Sequence, residues 1–147
     1  MPIRPATSDD RVVPADGDAR VDVARDTDIV LARQLGRRLA LDLGFSAGDA
    51  TLVATAISEL ARNILMYAGA GEVWLKGLRQ GERYGILVEA RDRGPGIPDV
   101  QQALRDGYST SNRLGLGLPG VRRLMDEFSI ESGPGAGTIV RVKMWDR

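Results

Sequence analysis

The chain has 147 residues, 20 Lys+Arg against 20 Asp+Glu, 5% aromatics, no histidine and no cysteine. The length suits one domain that buries its own core, while neutrality and few aromatics speak against a nucleic-acid footprint or a base-stacking platform. The two missing residue types exclude more: disulfides and thiolates, a Ser-His-Asp triad, an imidazole–zinc site and a phosphohistidine.

Residues 1–19 carry three prolines and mixed charge without a sustained period, which predicts a flexible arm ahead of one domain at 20–147. The acids and prolines of that arm interrupt any signal-peptide core, and no apolar run approaches the ~20 residues of a membrane span. The expected setting is the cytoplasm, with no membrane and no nucleic acid as partner. Val21 and Val23 alternate with Arg20 and Asp22, a short strand signal. Asp26, Thr27 and Asp28 offer N-caps for a helix through Leu43, with Leu31, Leu35, Leu39 and Leu43 as its apolar stripe and Gly44 as its stop. Ser46–Asp49 opens a second helix to about Tyr67, whose apolar face is Leu52, Val53, Ala56, Ile57, Leu60 and Ile64.

Two strands follow at 72–78 and 83–91, joined by a turn at Arg79-Gln80-Gly81-Glu82. The stretch from Gly94 to Gly117 is rich in Gly, Ser and Asn, with a short helix predicted at 99–106. Pro119 suits the first turn of a helix ending near Glu127. A last strand pair is predicted at 128–131 and 137–144. Helices and hairpins are partly segregated, so the expectation is an α+β two-layer sandwich: a mixed, mostly antiparallel sheet covered on one face by helices.

Three motifs could carry chemistry. On the second helix, Glu59 and Asn63 in Glu59-Leu60-Ala61-Arg62-Asn63 are four apart and share a stripe beside the apolar arc, with Thr55, Ser58 and Arg62 opposite. A carboxylate and an amide there are either a structural hydrogen-bonding pair or a base beside an oxygen suited to a hard cation. Asp92-Arg93-Gly94-Pro95-Gly96-Ile97-Pro98 follows a strand and reads as a tight turn or as a backbone that approaches a ligand. Gly115-Leu116-Gly117-Leu118-Pro119-Gly120 spells the dinucleotide pattern but lacks the strand that must precede it. Its physics survives: backbone N–H groups and a helix dipole facing an anion. Neither Lys76 nor Lys143 lies in a Gly-rich loop followed by Ser or Thr, which excludes a Walker A loop.

The order of these motifs resembles the ATP-binding domain of the gyrase, Hsp90, histidine-kinase and MutL superfamily, with its N, G1 and G2 boxes, from about Val21 to Trp145. Within it, Ile57–Asn63, Asp92–Pro98, Asp106-Gly107-Tyr108-Ser109-Thr110-Ser111 and the run from Gly115 to Asp126 are similar to the anti-sigma regulatory serine kinases of the RsbT switch-kinase branch. The resemblance implies ATP and Mg²⁺, with Asn63 as the metal ligand and Glu59 as the base that accepts a serine proton. It implies that Asp92 faces the adenine amino group, that Gly94, Gly96 and Ile97 border the base, and that Thr138 shares a water with Asp92. It makes Gly107–Leu114 an ATP lid, with Ser109, Thr110 and Arg113 as nucleotide contacts, and gives Gly115, Gly117 and the Leu118 N–H to the phosphates.

The histidine-kinase relatives phosphorylate a histidine on an attached helical domain. This chain has neither, so its phosphoryl group is expected to go to another protein or to water. The resemblance implies a Ser or Thr of a STAS-domain antagonist as acceptor, in a stressosome-type partner-switching pathway, and a PP2C-type phosphatase as the target once the kinase is released. Two alternatives stand beside it: an anti-sigma factor kinase that sequesters a sigma factor, and a nucleotide-gated scaffold without catalysis.

Overall fold

Alternating apolar residues build the sheet, and helices with one apolar face cover it. The computed structural model describes residues 12–97, 99–105 and 117–147. In chain order these form β1 (Val12–Val23), α1 (Asp26–Asp42), α2 (Ala47–Ala68), β2 (Gly71–Gln80), β3 (Arg83–Asp92), the single turn α3 (Val100–Ala103), α4 (Gly117–Leu124), β4 (Glu127–Ser132) and β5 (Thr138–Trp145). The sheet order is β1-β2-β3-β5-β4, and every pairing among the described residues is antiparallel. This is the expected α+β sandwich without a parallel pair.

The inner face of the sheet presents Val73, Leu75, Ile86, Val88, Val140, Val142 and Met144 to Val53, Ile57, Leu60 and Ile64 of α2, and all are nearly or wholly removed from water. Each such side chain contributes about 1.5–3 kcal/mol on burial. Helix α2 starts on the Ser46 hydroxyl, which accepts the Asp49 N–H at 3.1 Å, and stops at Gly69, whose φ of 81° lies in the left-handed region. Glycine takes that conformation without the clash a Cβ would meet.

Three expectations change. Residues 12–19 are not part of an arm: they are the first half of β1, paired with β2 from Val12↔Gln80 to Ala15↔Gly77 and again from Ala19↔Leu75. Pro14 is tolerated because β1 is an edge strand, and an irregularity between Ala15 and Ala19 hides the alternation that would have announced it. Residues 1–11 lie outside the described residues. In α1 the buried stripe is Ile29, Ala32, Gly36, Leu39 and Ala40, whereas Leu31 is 47% exposed. Steps of four rotate 40° too far each time, so a strict four-apart row winds off the core, and alternating steps of three and four stay on it. The helix also begins one residue earlier: Arg25 is the N-cap, and the Asp28 carboxylate in the first turn accepts the N–H of Ala24 at 2.9 Å and of Arg25 at 3.1 Å.

The outer face of the sheet is covered by its own charges. Arg20 and Arg91 lie over the Trp74 ring at 5.1 and 5.4 Å. Glu89, 7% exposed, accepts from Arg91 on one oxygen and from Arg141 at 3.0 Å on the other. Burial works against ionising Glu89, but the hydrogen bonds and charges of Arg91 and Arg141 outweigh it and hold the carboxyl below its ordinary 4.5. The contribution to stability is therefore present above that ordinary value and is lost as pH falls through the lower native one. Glu89→Gln should flatten the acid limb of a stability–pH curve below about pH 4.5. Urea melts at several pH values check this, and curves of equal slope for the variant and the parent would remove Glu89 from the acid response.

Candidate active site

One end of the sandwich opens as a cleft of about 450 Å³, its mouth included. Helix α2 lines it with Leu60, Asn63, Ile64 and Tyr67, β3 with Ala90 and Asp92, and the turn after β3 with Gly96 and Ile97. Leu118 of α4 and Thr138 and Val140 of β5 complete the wall. Most of this lining is apolar, with the polar side chains of Asn63, Tyr67, Asp92 and Thr138 set into it, the usual build of a small-molecule site.

The two polar residues of α2 sit one helical turn apart but in different surroundings. Asn63 is half-buried and faces the cleft. Glu59 is 8% exposed and lies against the start of α4: its Oε2 accepts the Gly117 N–H at 3.2 Å, and its Oε1 accepts from the Arg62 guanidinium at 2.6 Å. Arg62, expected on the opposite side of the helix, therefore reaches Glu59, because its long side chain spans the one-turn step between i and i+3. Ser58, also expected there, is buried and bonds back to the Ala54 carbonyl at 2.9 Å.

At the other end, Asp92 closes β3, and its Oδ1 accepts the Gly94 N–H at 2.9 Å. The register pairs Asp92 with Thr138 and Thr138 with Ser132, so three polar side chains stand in one row across β3, β5 and β4. Ser132 Oγ accepts the Ile97 N–H at 2.7 Å and lies 3.0 Å from the Gly137 carbonyl and 2.8 Å from Thr138 Oγ1. Sequence reasoning passed over Ser132. Its only signal was a hydroxyl at the end of a strand, six residues before Thr138, and nothing local shows that it binds a turn 35 residues away.

The two glycines of the Asp92 turn are there for different neighbours from those expected. A Cβ on Gly94 would overlap Ala68 at the end of α2, and Gly94 does not line the cleft. Gly96, with φ of 81°, does line it, but a Cβ there would strike the Gly133 carbonyl of the β4–β5 loop. Both keep protein backbone close to protein. Leu118 contributes its buried side chain to the cleft wall. Gly117 opens α4 with φ of 62° and spends its N–H on Glu59. The candidates Ser109, Thr110, Arg113 and Gly115 lie outside the described residues. No helix among the described residues is long and apolar enough to cross a membrane.

The arrangement suits a ligand with a flat, largely apolar body that carries hydrogen-bond donors at one end. The Asp92 carboxylate is the acceptor at that end, and Asn63 of α2 offers a hard amide oxygen elsewhere on the cleft wall. One amide oxygen is too little for an all-protein cage, and the hard cation whose chemistry it suits is Mg²⁺, which keeps waters and phosphate oxygens as its other ligands.

Residues 48–147 match the family of histidine kinase-, DNA gyrase B-, and HSP90-like ATPases, and the chain belongs to it. Its ATP-binding fold is that family's. Serine/threonine-protein kinase RsbT of Bacillus subtilis (strain 168) is 50% identical over 127 residues, which cover 86% of this chain and 96% of that protein. An anti-sigma F factor of Thermoanaerobacter sp. (strain X514) is 30% identical over 117 residues, covering 76% of this chain and 80% of the relative. Among solved structures, the RsbU and RsbW domains of a Mycobacterium tuberculosis protein superpose with a TM-score of 0.57 at 20% identity. That match covers 86% of this chain and 31% of the larger one, and it concerns the fold.

Proposed function

We propose that the chain is an RsbT-type serine/threonine protein kinase, which transfers the γ-phosphoryl group of ATP to a hydroxyl on a partner protein. The observation that carries this reading is the pairing of Asn63 in the cleft with a buried carboxylate, Glu59, one turn before it on the same helix. The half-identity to a named serine/threonine-protein kinase, over nearly its whole length, supports it.

Asp92 accepts a hydrogen bond from the adenine amino group, and the apolar walls from Leu60, Ile64, Ile97 and Val140 take the ring. Asn63 is the protein's ligand to Mg²⁺, which when bound neutralises charge developing on the phosphates. Glu59 accepts the proton of the incoming serine or threonine hydroxyl. The hydroxyl oxygen bonds to the γ-phosphorus as the bond to the ADP oxygen breaks, and ADP leaves. These 147 residues hold no histidine to phosphorylate, and the acceptor in this reading is a hydroxyl of a partner protein.

The acceptor is a STAS-domain antagonist, in a stressosome-type partner-switching pathway in the cytoplasm, and release from it lets the kinase engage a PP2C-type phosphatase. Likeness to anti-sigma F factors supports a second reading, in which the chain sequesters a sigma factor. Incubating the co-purified partners with γ-labelled ATP and mapping the modified residue decides between them. Label on a serine or threonine of an antagonist is the expected result. A sigma factor recovered in place of the antagonist favours the second reading, and bound ATP with no label on any partner removes the kinase claim.

A further inference from the structure

Ser132 is bound at three points and is the end of a row that runs into the cleft. Its hydroxyl has one proton to give and two lone pairs to offer. The Ile97 N–H, at 2.7 Å, takes one lone pair. The Gly137 carbonyl, at 3.0 Å, can only accept, so it takes the proton. Thr138 Oγ1, at 2.8 Å, must then be the donor in its contact with Ser132. The reverse arrangement, with Ser132 donating to Thr138, leaves the Gly137 carbonyl without that proton and satisfies two contacts where the first satisfies three. Leaving a part-buried acceptor unmet is the costlier choice.

We infer that Ser132 is a specificity-determining positioning residue: by accepting the hydrogen bond of the Thr138 hydroxyl, it leaves Thr138 Oγ1 as an acceptor at the position paired with Asp92. Thr138 and Asp92 then both face the cleft as acceptors. Asp92 spends part of its capacity on the Gly94 N–H through Oδ1, and Oδ2 has no partner among the described residues. Two separate acceptors from neighbouring strands suit the two protons of one exocyclic amino group. A carbonyl oxygen in the same place would face lone pairs on both sides. The inference rests on the reading that the base enters with its C6 substituent toward Asp92, and it adds that the Ser132 hydroxyl, which does not line the cleft, sets the discrimination at that position.

The purine pair that tests the effect is ATP against inosine triphosphate, which carries a carbonyl oxygen in place of the amino group at C6 and a proton on the neighbouring N1. Binding of each to the full chain is measured by calorimetry in the presence of Mg²⁺. The parent should favour ATP. Ser132→Ala frees the Thr138 hydroxyl to rotate and donate toward the cleft, and should narrow the ATP-to-ITP ratio by about tenfold, the worth of one hydrogen bond made or left unmet. Ser132→Thr keeps the hydroxyl and should keep the ratio. Thr138→Val removes the acceptor and should narrow the ratio too, which keeps the idea testable if Ser132→Ala does not fold. Equal weakening of both nucleotides in Ser132→Ala or Thr138→Val, with the ratio unchanged, reduces Ser132 to an anchor of the Ile97 turn and overturns the proposal. A parent chain that binds neither nucleotide overturns the ATP reading as well.

Discussion

Glu59→Ala should leave nucleotide affinity near that of the parent and cut phosphoryl transfer by roughly 10²–10⁴-fold, the usual worth of a general base. The carboxylate does not line the cleft, so its removal takes no direct contact from a bound nucleotide. It does remove the acceptor of the Gly117 N–H and the partner of Arg62, and some loosening between α2 and α4 is expected. Glu59→Gln separates the two effects. Its amide oxygen still accepts one hydrogen bond, while the group can no longer take up a proton at neutral pH. Single-turnover transfer to the partner, set beside a binding titration, gives both numbers. Transfer by Glu59→Gln at the parent rate would leave Glu59 as a structural tie between the two helices.

Asn63→Ala should abolish binding of the Mg²⁺–nucleotide complex, or its turnover, with the fold retained. Asn63 is half-buried at the cleft wall and sits on the helix face beside the core, so truncating it takes no apolar contact from the centre of the domain. What is lost is one hard oxygen, and a Mg²⁺ ion that already relies on waters and phosphates has few protein ligands to spare. Circular dichroism and a urea melt report the fold, and calorimetry with and without Mg²⁺ reports the site. Unchanged Mg²⁺-dependent turnover would take Asn63 out of the metal role.

Local periodicity made much of the architecture readable. The second helix was expected from Ser46 to about Tyr67 and spans Ala47–Ala68 on a Ser46 cap, because cap, apolar face and glycine stop all lie within one continuous segment. The hairpin of β2 and β3 was readable for the same reason, although its loop is tighter than the four residues expected, with the strands closing onto Gly81 and Glu82. Of the first strand, only its end at Val21 and Val23 was readable, and residues 12–19 were not. The strand gains its order from pairing with β2, far along the chain, from Val12↔Gln80 to Val23↔Gly71, and an irregular edge strand carries little local signal. The α1 face was misread for a related reason: four leucines in a row of fours look like a stripe, and only the neighbours show that Ala32 and Gly36 are the residues against the core.

Motif order by itself determined the site's ingredients: a carboxylate and an amide on one helix, an aspartate at a strand end, a threonine opening the last strand, and no histidine or cysteine to compete with them. Those are properties of covalent order and helical spacing, which a sequence carries in full. Tertiary structure alone decided what each group does with its hydrogen bonds. It ties Glu59 to Gly117 across 58 residues and turns Arg62 onto the same carboxylate. It gives Gly94 to the end of α2, and it makes Ser132 the pivot between a turn and Thr138. A hydrogen bond depends on where two distant backbones are brought within 3 Å or so of each other, and that distance is set by packing.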